Sequence, residues 1–347
     1  MRILIVGGTG LISGALASQA AAAGHELTLV TRGRSSTPAP PGARTIHADA
    51  TDATAMRDAL HGMRLRRERF DAVVQSVAFR PEHVADDVAT FAPLTDQYAL
   101  IATSAAYATY PHYHPLTEDT PQENPYWEYA RLKADCERVL RDAAGPAGLG
   151  WTVVRPAHTY GDSKIPSYIG NSRAPWTLVD RMRRGADIIV PGDGTSLWTL
   201  THADDVAAGI LGLLGNADAL GRAVHITSDV PHTWRGILAT VAEAAGLTPA
   251  QFDAQAVCVP TDAMVAVDPS LEGGTRGDKM HAAIYDTSLI RTLVPGWEAR
   301  VPLDEGIRRA VDWFEADPAR QVVDAADDAL LDRLGAVYRD ALARVRE

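Results

Sequence analysis

The first fourteen residues constrain the fold more than any other part of the chain. Ile3–Val6 is a continuous aliphatic run, which is typical of a strand buried on both faces. It leads directly into the glycine-rich sequence Gly7–Gly14, and a segment with helical spacing then continues to Gly24. A strand, a tight turn and a helix in this order predict the first βα unit of a parallel sheet.

The same alternation continues to Pro156. Strands are predicted at Glu26–Thr31, Thr45–His47, Asp71–Ser76, Tyr98–Ala102 and Trp151–Arg155, and helices at Leu11–Ala23, Thr54–Leu60, Glu82–Phe91 and Pro125–Ala144. Asn124 is a suitable helix cap, and Pro125 suits the first helical position. This order predicts an α/β protein with a Rossmann-type, doubly wound parallel sheet.

The glycine turn predicts a dinucleotide site. A dinucleotide needs a tight turn after a strand, close approach of the backbone to its pyrophosphate, and a helix N-terminus aimed at it. The turn that meets these needs contains Gly7, Thr9, Gly10, Leu11 and Ile12. The third glycine position holds Ser13, which is a mild departure from the pattern. A plain βα turn is the alternative interpretation.

The end of the second strand bears on the choice of cofactor. An acidic residue there binds the ribose 2′-hydroxyl of NAD, whereas an arginine accommodates the 2′-phosphate of NADP. The chain has Arg32 and Arg34 and no acid in Thr31-Arg32-Gly33-Arg34. We therefore favour NADP(H) over NAD(H), with Arg32 as the main contact. Asp49, after the third strand, is placed to accept a hydrogen bond from the adenine amino group.

A second signal indicates proton transfer. Tyr129 and Lys133 are four residues apart and share one face of their predicted helix. A nearby ammonium favours the phenolate and lowers the tyrosine pKa, so Tyr129 is a candidate general acid or base. Thr103 or Ser104, at the end of the fifth strand, would orient the reacting oxygen. An exposed i,i+4 pair is the alternative.

Bulk properties limit the partners. The net charge of −11 argues against nucleic acid and against docking on an anionic membrane surface. Cys136 and Cys258 are too few and too far apart for a disulfide framework, and the first apolar run is too short for a signal peptide or membrane span. We expect a cytoplasmic protein that binds a small-molecule substrate.

Several short motifs occur together in chain order: the Gly7/Gly10 turn, Asp49–Asp52, Ala78, Thr103–Ala105, Tyr129–Lys133 with Glu137, Val154–Pro156, Tyr160–Gly161, Pro191–Gly194 and Thr201–Ala207. Together they resemble the extended short-chain dehydrogenase/reductases of the NAD(P)-dependent epimerase/dehydratase group. The resemblance implies a triad of Tyr129, Lys133 and Ser104 (or Thr103). It also implies cofactor contacts beyond the turn, at Ala50, Ser76, Ala78, Lys133, Pro156 and His158.

The resemblance also implies a division of the chain. We expect a dinucleotide-binding domain at 1–156 with returning segments near 201–228, and a smaller C-terminal α/β substrate lobe at 157–200 and 229–302. Residues 157–200 are rich in Gly, Pro, Ser and Asn and predict long loops, while 256–302 predict short strands and loops. Residues 303–347 are expected to be mainly helical, and the charged amphipathic helix expected at 321–347 would pack on the lobe or form a homodimer contact.

Three departures bear on the substrate and on the reaction. The segment from Ala78 to Thr103 is shorter than in sugar-nucleotide epimerases and is similar to the subgroup that contains chloroplast stem-loop-binding proteins. Trp198 stands four residues before His202, where sugar-nucleotide enzymes usually carry a phosphate-binding arginine. Ala105 and Ala106 stand where a dehydratase ordinarily has an acid pair. These features favour a smaller or less charged substrate and disfavour dehydration.

The sequence thus predicts hydride transfer at a secondary alcohol or ketone carbon of a sugar, polyol or specialised metabolite, with epimerisation and net redox both open. Further candidate substrate contacts are His112, His114, Tyr160, Lys164, Trp198 and His281. The His112/His114 pair has no third ligand at motif spacing, so no metal is expected. The rival hypothesis is a dinucleotide-binding regulator, or a nucleic-acid-binding relative, without turnover.

Overall fold

The computed structural model describes residues 1–34, 37–109, 113–169 and 174–346. Twelve strands occur in these ranges: β1 (Arg2–Val6), β2 (Glu26–Thr31), β3 (Arg44–His47), β4 (Ala72–Gln75), β5 (Gln97–Ile101), β6 (Gly150–Pro156), β7 (His158–Tyr160), β8 (Ile188–Pro191), β9 (Leu197–His202), β10 (Arg222–Ile226), β11 (Pro231–Thr233) and β12 (Ala256–Val259).

The α-helices alternate with these strands in the first half of the chain and dominate its last third. They are α1 (Leu11–Ala22), α2 (Ala53–Leu65), α3 (Pro81–Phe91), α4 (Glu128–Ala144), α5 (Trp176–Arg183), α6 (Ala203–Leu213), α7 (Trp234–Ala244), α8 (Pro249–Gln255), α9 (Thr261–Val267), α10 (Glu272–Gly274), α11 (Ser288–Leu293), α12 (Leu303–Glu315) and α13 (Ala325–Arg346). A single wide π-helical turn, Thr275–Lys279, follows α10.

Seven strands form one parallel sheet in the order β10-β6-β5-β4-β1-β2-β3. The prediction of a doubly wound α/β fold is therefore confirmed. Because β1 lies between β4 and β2, the chain leaves it toward one side of the sheet and returns on the other. The carboxyl ends of the strands open a crevice at such a switch point, where α/β proteins bind ligands.

Apolar side chains cover both faces of the sheet. On one face Leu16 of α1 and Ile210 of α6 pack over the sheet, and on the other Met56 of α2 and Leu140 of α4 do so. β10 pairs with β6, so the chain returns to the main sheet after the strands β7–β9 have been formed.

The lobe has its own core, centred on the fully buried Trp234. β9 pairs with β7 and β11, and β8 pairs with β12. Residues 157–200 were expected to be long loops, and that expectation is wrong: they contain α5, β7, β8 and most of β9. Residues 256–302 hold one strand and mainly helical turns instead of several strands. The lobe strands pair with segments far away in the chain, so the local pattern does not reveal them.

Helix α4 starts later than predicted, at Glu128 instead of Pro125. The side-chain oxygen of Asn124 accepts hydrogen bonds from the backbone N–H groups of Tyr126 and Trp127, at 3.2 and 3.1 Å. Asn124 therefore forms a turn ahead of the helix. Its amide nitrogen donates to the carbonyl oxygen of Ala105 at 2.8 Å, which fixes this turn against the segment after β5.

The C-terminal helix α13 packs on the lobe. The buried guanidinium of Arg181 pairs with Asp332 of α13 at 2.7 Å and also contacts Asp328. Within the described ranges, no helix combines the length and the apolar character needed to cross a membrane.

Candidate active site

A cavity of about 910 Å³ runs along the carboxyl edge of the main sheet. The glycine turn after β1 and the ends of β2, β4, β5 and β6 form its floor. The start of α4 and residues of the lobe close its other side. The cavity therefore joins the predicted dinucleotide site to the predicted proton-transfer residues.

The turn after β1 has the geometry that a pyrophosphate requires. Gly7 has a φ of +111°, and a Cβ atom there would lie 2.2 Å from the Ser76 hydroxyl oxygen. Ser76 is held in place by donating to the Val6 carbonyl oxygen at 2.6 Å. The backbone can thus approach a ligand closely, and the N-terminus of α1 adds its partial positive charge.

Ser13 explains how the turn tolerates the loss of its third glycine. The residue is buried, and its hydroxyl oxygen accepts a hydrogen bond from the Gly10 N–H at 3.2 Å. The hydroxyl therefore stabilises the turn from within and adds little bulk toward the cavity.

Basic residues mark the opposite end of the cavity. Arg32 and Arg34 follow β2 and are exposed at its edge. The Asp49 carboxylate accepts hydrogen bonds from the N–H and hydroxyl of Thr51, at 3.0 and 2.8 Å, and these bonds hold its pKa below the usual range, with Arg32 and Arg34 contributing. This end offers two cations and one carboxylate to a bound group.

The predicted cofactor contacts mostly line this cavity. Those that do are Gly7, Thr9, Gly10, Leu11, Ile12, Arg32, Arg34, Asp49, Ala50, Ser76, Lys133, Pro156 and His158. Ala78 is the exception, because its side chain is buried while its neighbours Val77 and Phe79 form the wall. The Ala78 carbonyl instead accepts a hydrogen bond from Lys133.

Tyr129 lies in the first turn of α4, across the cavity from the end of β5. Burial raises the pKa of its hydroxyl above the usual value, and the neighbouring Thr103 hydroxyl acts in the opposite direction. The Tyr129 ring packs against Trp127, with 4.9 Å between ring centroids. Ser104 is buried, and its hydroxyl lies beside Tyr285 of the lobe, where it opposes the rise that burial causes in the pKa of that tyrosine. Of the two hydroxyls left open by the sequence, Thr103 is thus the one that contacts Tyr129.

Lys133 has its ammonium group at the floor of the cavity. It donates hydrogen bonds to the carbonyl oxygens of Ala78 and Ile101, at 2.8 and 2.6 Å. Burial lowers its pKa to about 8. Thr103 is the group that lowers the Tyr129 pKa here, so a lowering by Lys133 stays a prediction.

The lobe adds Lys164, Trp198, His158 and Asp278 to the cavity wall. Burial lowers the His158 pKa well below its usual value, so the imidazole is neutral. The His158 Nε2 and Trp198 Nε1 atoms are buried and have no hydrogen-bond partner among the described residues. Such atoms are costly unless a ligand satisfies them.

Asp278 was not found from the sequence. It belongs to the π-helical turn, in which the Met280 N–H donates to the Thr275 carbonyl oxygen five residues earlier, at 2.9 Å. Turns of this kind occur often at functional sites. Burial raises the Asp278 pKa to about 6. Gly277-Asp278-Lys279 follows a glycine-containing stretch, but no spacing in the sequence links it to Tyr129.

Three predicted substrate contacts do not line the cavity. Tyr160 is buried in the lobe core against Gly306, where a Cβ atom would lie 2.5 Å from its hydroxyl. His281 lines a small adjoining cavity, and its ring contacts the Arg276 carbonyl oxygen at 3.1 Å. His114 is exposed away from the site. The remaining candidate, His112, lies outside the described residues.

Comparison with known proteins identifies one matching family and two similar proteins. The family model described as "NAD dependent epimerase/dehydratase family" matches residues 3–226. The chain is 26% identical to the 2′-dehydrokanamycin reductase of Streptomyces kanamyceticus over 308 residues, which is 86% of this chain and 81% of the relative. It is 27% identical to chloroplast stem-loop binding protein of 41 kDa b of Arabidopsis thaliana, covering 71% of this chain and 63% of that protein.

A solved structure shows the same fold. The dTDP-glucose 4,6-dehydratase of Streptomyces venezuelae, determined with NAD bound, superposes with a TM-score of 0.72 and 20% identity. The superposition covers 92% of this chain and 98% of that one.

Proposed function

The chain belongs to the NAD-dependent epimerase/dehydratase family, and on that premise we propose that it is an NAD(P)-dependent reductase acting on a ketone of a hydroxylated small molecule. The observation that carries the proposal is the contact between the Tyr129 and Thr103 hydroxyls inside the cavity that begins at the Gly7 turn. Hydride transfer coupled to proton transfer requires the proton-donating hydroxyl and the bound dinucleotide to lie in the same cavity.

The residues of the chain supply proton transfer and orientation. The bound dinucleotide supplies the hydride. Tyr129 donates its phenolic proton to the reacting oxygen in reduction and accepts it in the reverse direction. Thr103 holds that oxygen beside the phenol by hydrogen bonding. Lys133 stabilises the phenolate that follows and holds the adjoining backbone in place through the carbonyls of Ala78 and Ile101.

Two observations support net reduction over the related reactions. Ala105 and Ala106 offer no carboxyl group for elimination of water, which disfavours a dehydratase. The relative that matches across 86% of this chain is itself named a reductase. Epimerisation is the second candidate, and it differs in keeping its cofactor through the cycle.

We further propose a preference for NADP(H). Arg32 and Arg34 follow β2 at the position where an acid would select NAD, and they lie at the cavity edge. The similar proteins support a dinucleotide cofactor without distinguishing NADP(H) from NAD(H). The proposed preference for NADP(H) is therefore argued from the two arginines alone.

The test is spectroscopic. Purified protein is mixed with NADPH or NADH and a panel of hydroxylated ketones, and absorbance of the reduced cofactor is followed. We expect oxidation of the cofactor, reduced about 10³-fold in Tyr129→Phe, while the exposed Tyr113→Phe matches wild type. An isomerised product without net cofactor oxidation would establish epimerisation. Turnover by Tyr129→Phe at the wild-type rate, or bound cofactor with no turnover at all, would contradict the proposal.

A further inference from the structure

Lysine is rare in this chain, and its positions are informative. Of 33 lysines and arginines, only Lys133, Lys164 and Lys279 are lysines. The surface carries its positive charge on arginine. Lys133 and Lys164 line the cavity, and Lys279 follows Asp278, which lines it too. All three lysines of the chain, each with a compact ammonium group on a flexible side chain, therefore lie in or beside this cavity.

Two of the three ammonium groups have partners within the protein. Lys133 donates to the carbonyl oxygens of Ala78 and Ile101. Lys279 donates to the Gly274 carbonyl oxygen at 3.3 Å and lies 3.9 Å from the Asp278 carboxylate. Their positive charges are thus partly satisfied by fixed groups.

Lys164 differs from both. Its side chain lines the cavity, and burial lowers its pKa. Among the described residues, none forms an ion pair or a hydrogen bond with the Lys164 ammonium group. The tight turn Gly161–Lys164, with the Lys164 N–H donating to the Gly161 carbonyl at 2.8 Å, holds its backbone against the site.

The local charges do not cancel. Asp278 is the acid that faces Lys164, and Lys279 lies beside the same carboxylate. His158 contributes no charge because it is neutral. Among the described residues on the lobe side of the cavity, the two ammonium groups of Lys164 and Lys279 therefore share one carboxylate, in a protein whose net charge is −11. A half-buried charge without a partner is costly, and an anionic ligand would reduce that cost.

We propose that the substrate carries a carboxylate, or an equivalent singly charged anion, that pairs with the Lys164 ammonium while its ketone or carbinol lies at Tyr129. This inference rests on the proposed function and narrows its substrate class. Trp198 provides an unpaired indole N–H on the same wall, suited to a hydroxyl or carboxylate oxygen.

The test measures binding and does not depend on turnover. Holoprotein with saturating cofactor is titrated with three sugars that share one ring and differ in charge: D-glucuronate, D-glucose and D-glucosamine. Quenching of tryptophan fluorescence reports occupancy, because Trp127 and Trp198 line the cavity. We expect glucuronate to bind at least about tenfold more tightly than glucose, the effect of one charge-assisted hydrogen bond, and glucosamine to bind most weakly.

The variants assign that preference to one residue. Lys164→Met should abolish the preference for the acid, and Lys164→Arg should retain most of it. The control Arg308→Met removes one exposed charge from α12 and should behave as wild type. Equal binding of the acid and the neutral sugar by wild type, or an unchanged preference in Lys164→Met, would overturn the proposal.

The experiment also separates the substrate from the other anion that enters this cavity, the cofactor phosphates. Cofactor affinity is measured for each variant in the absence of sugar. A loss above about tenfold in Lys164→Met would assign Lys164 to the cofactor and overturn the proposal. Tyr129→Phe should keep the charge preference of wild type, so that a failed catalytic assignment leaves this result intact.

Discussion

The Lys133 ammonium donates a hydrogen bond to the Ile101 carbonyl oxygen at a nitrogen–oxygen distance of 2.6 Å, and this bond joins α4 to the last residue of β5. A second bond reaches Ala78 beyond β4. One side chain therefore holds together the two strand ends that flank Thr103 and the cofactor cavity. These two hydrogen bonds give Lys133 a structural role.

We predict that Lys133→Met loses both stability and activity. Two buried carbonyl groups lose their donor, which should lower the free energy of unfolding by about 1–3 kcal/mol. Turnover should fall by about 100-fold or more. Urea unfolding and steady-state rates measure the two effects. Arg138→Met, on the exposed side of the same helix, should change stability by less than about 0.5 kcal/mol.

Substitution of the two candidate hydroxyl residues, Thr103 and Ser104, should lower kcat by different amounts. Thr103→Val removes the contact with Tyr129 and should lower kcat by about 100-fold. Ser104→Ala removes a contact with Tyr285 and should have a smaller effect on kcat. Rates at saturating substrate for both variants provide the comparison. A larger loss of kcat in Ser104→Ala would show that Ser104 is the hydroxyl that meets the substrate.

Cofactor preference should depend on Arg32. Arg32→Ala should weaken NADPH binding by about tenfold or more and leave NADH binding nearly unchanged, because the 2′-phosphate loses its charge partner. Arg34→Ala should have the same sign of effect. Dissociation constants from cofactor fluorescence measure this, with the exposed Arg44→Ala on β3 as control. Tighter binding of NADH than NADPH by wild type would refute the assignment.

The Asp87 carboxyl should make the protein less stable as pH rises from about 4 to about 7. Burial raises the pKa of this carboxyl to about 7, although it accepts hydrogen bonds from Gln75 and Tyr98 at 2.6 and 2.7 Å. Between the unfolded pKa of about 4 and the folded one, the native state binds more protons, so rising pH favours unfolding. Asp87→Asn should flatten the profile and gain on the order of 1 kcal/mol at pH 8. A slope unchanged in Asp87→Asn would exclude this role.

The sequence predicts the cofactor half of the molecule well because its signals are local. The aliphatic run before Gly7 identifies the central strand, and the glycine turn lies within a few residues of it. Tyr129 and Lys133 are four residues apart on one helix, so the rule for helix faces brings them together without any tertiary information. The start of α4 was missed by three residues because Asn124 bonds to Ala105, outside the local window.

The lobe was predicted poorly for the opposite reason. Asp278 reaches the cavity through a π-helical turn more than a hundred residues after Tyr129. Tyr160, two residues after the cavity-lining His158, points away from the cavity because Gly306 leaves room for its ring in the lobe core. These outcomes depend on packing between segments distant in the chain, and periodicity in one segment carries no information about them.

The return of β10 to the edge of the main sheet makes the protein hard to divide. A fragment ending at Pro156 would leave β6 as an open edge strand and would remove α6, whose Val206 and Ile210 cover one face of the sheet. Open edges of this kind recruit other chains. We therefore expect that residues 1–156 do not fold well as a separate fragment, because the last strand of their sheet, β10, is synthesised only after much of the lobe.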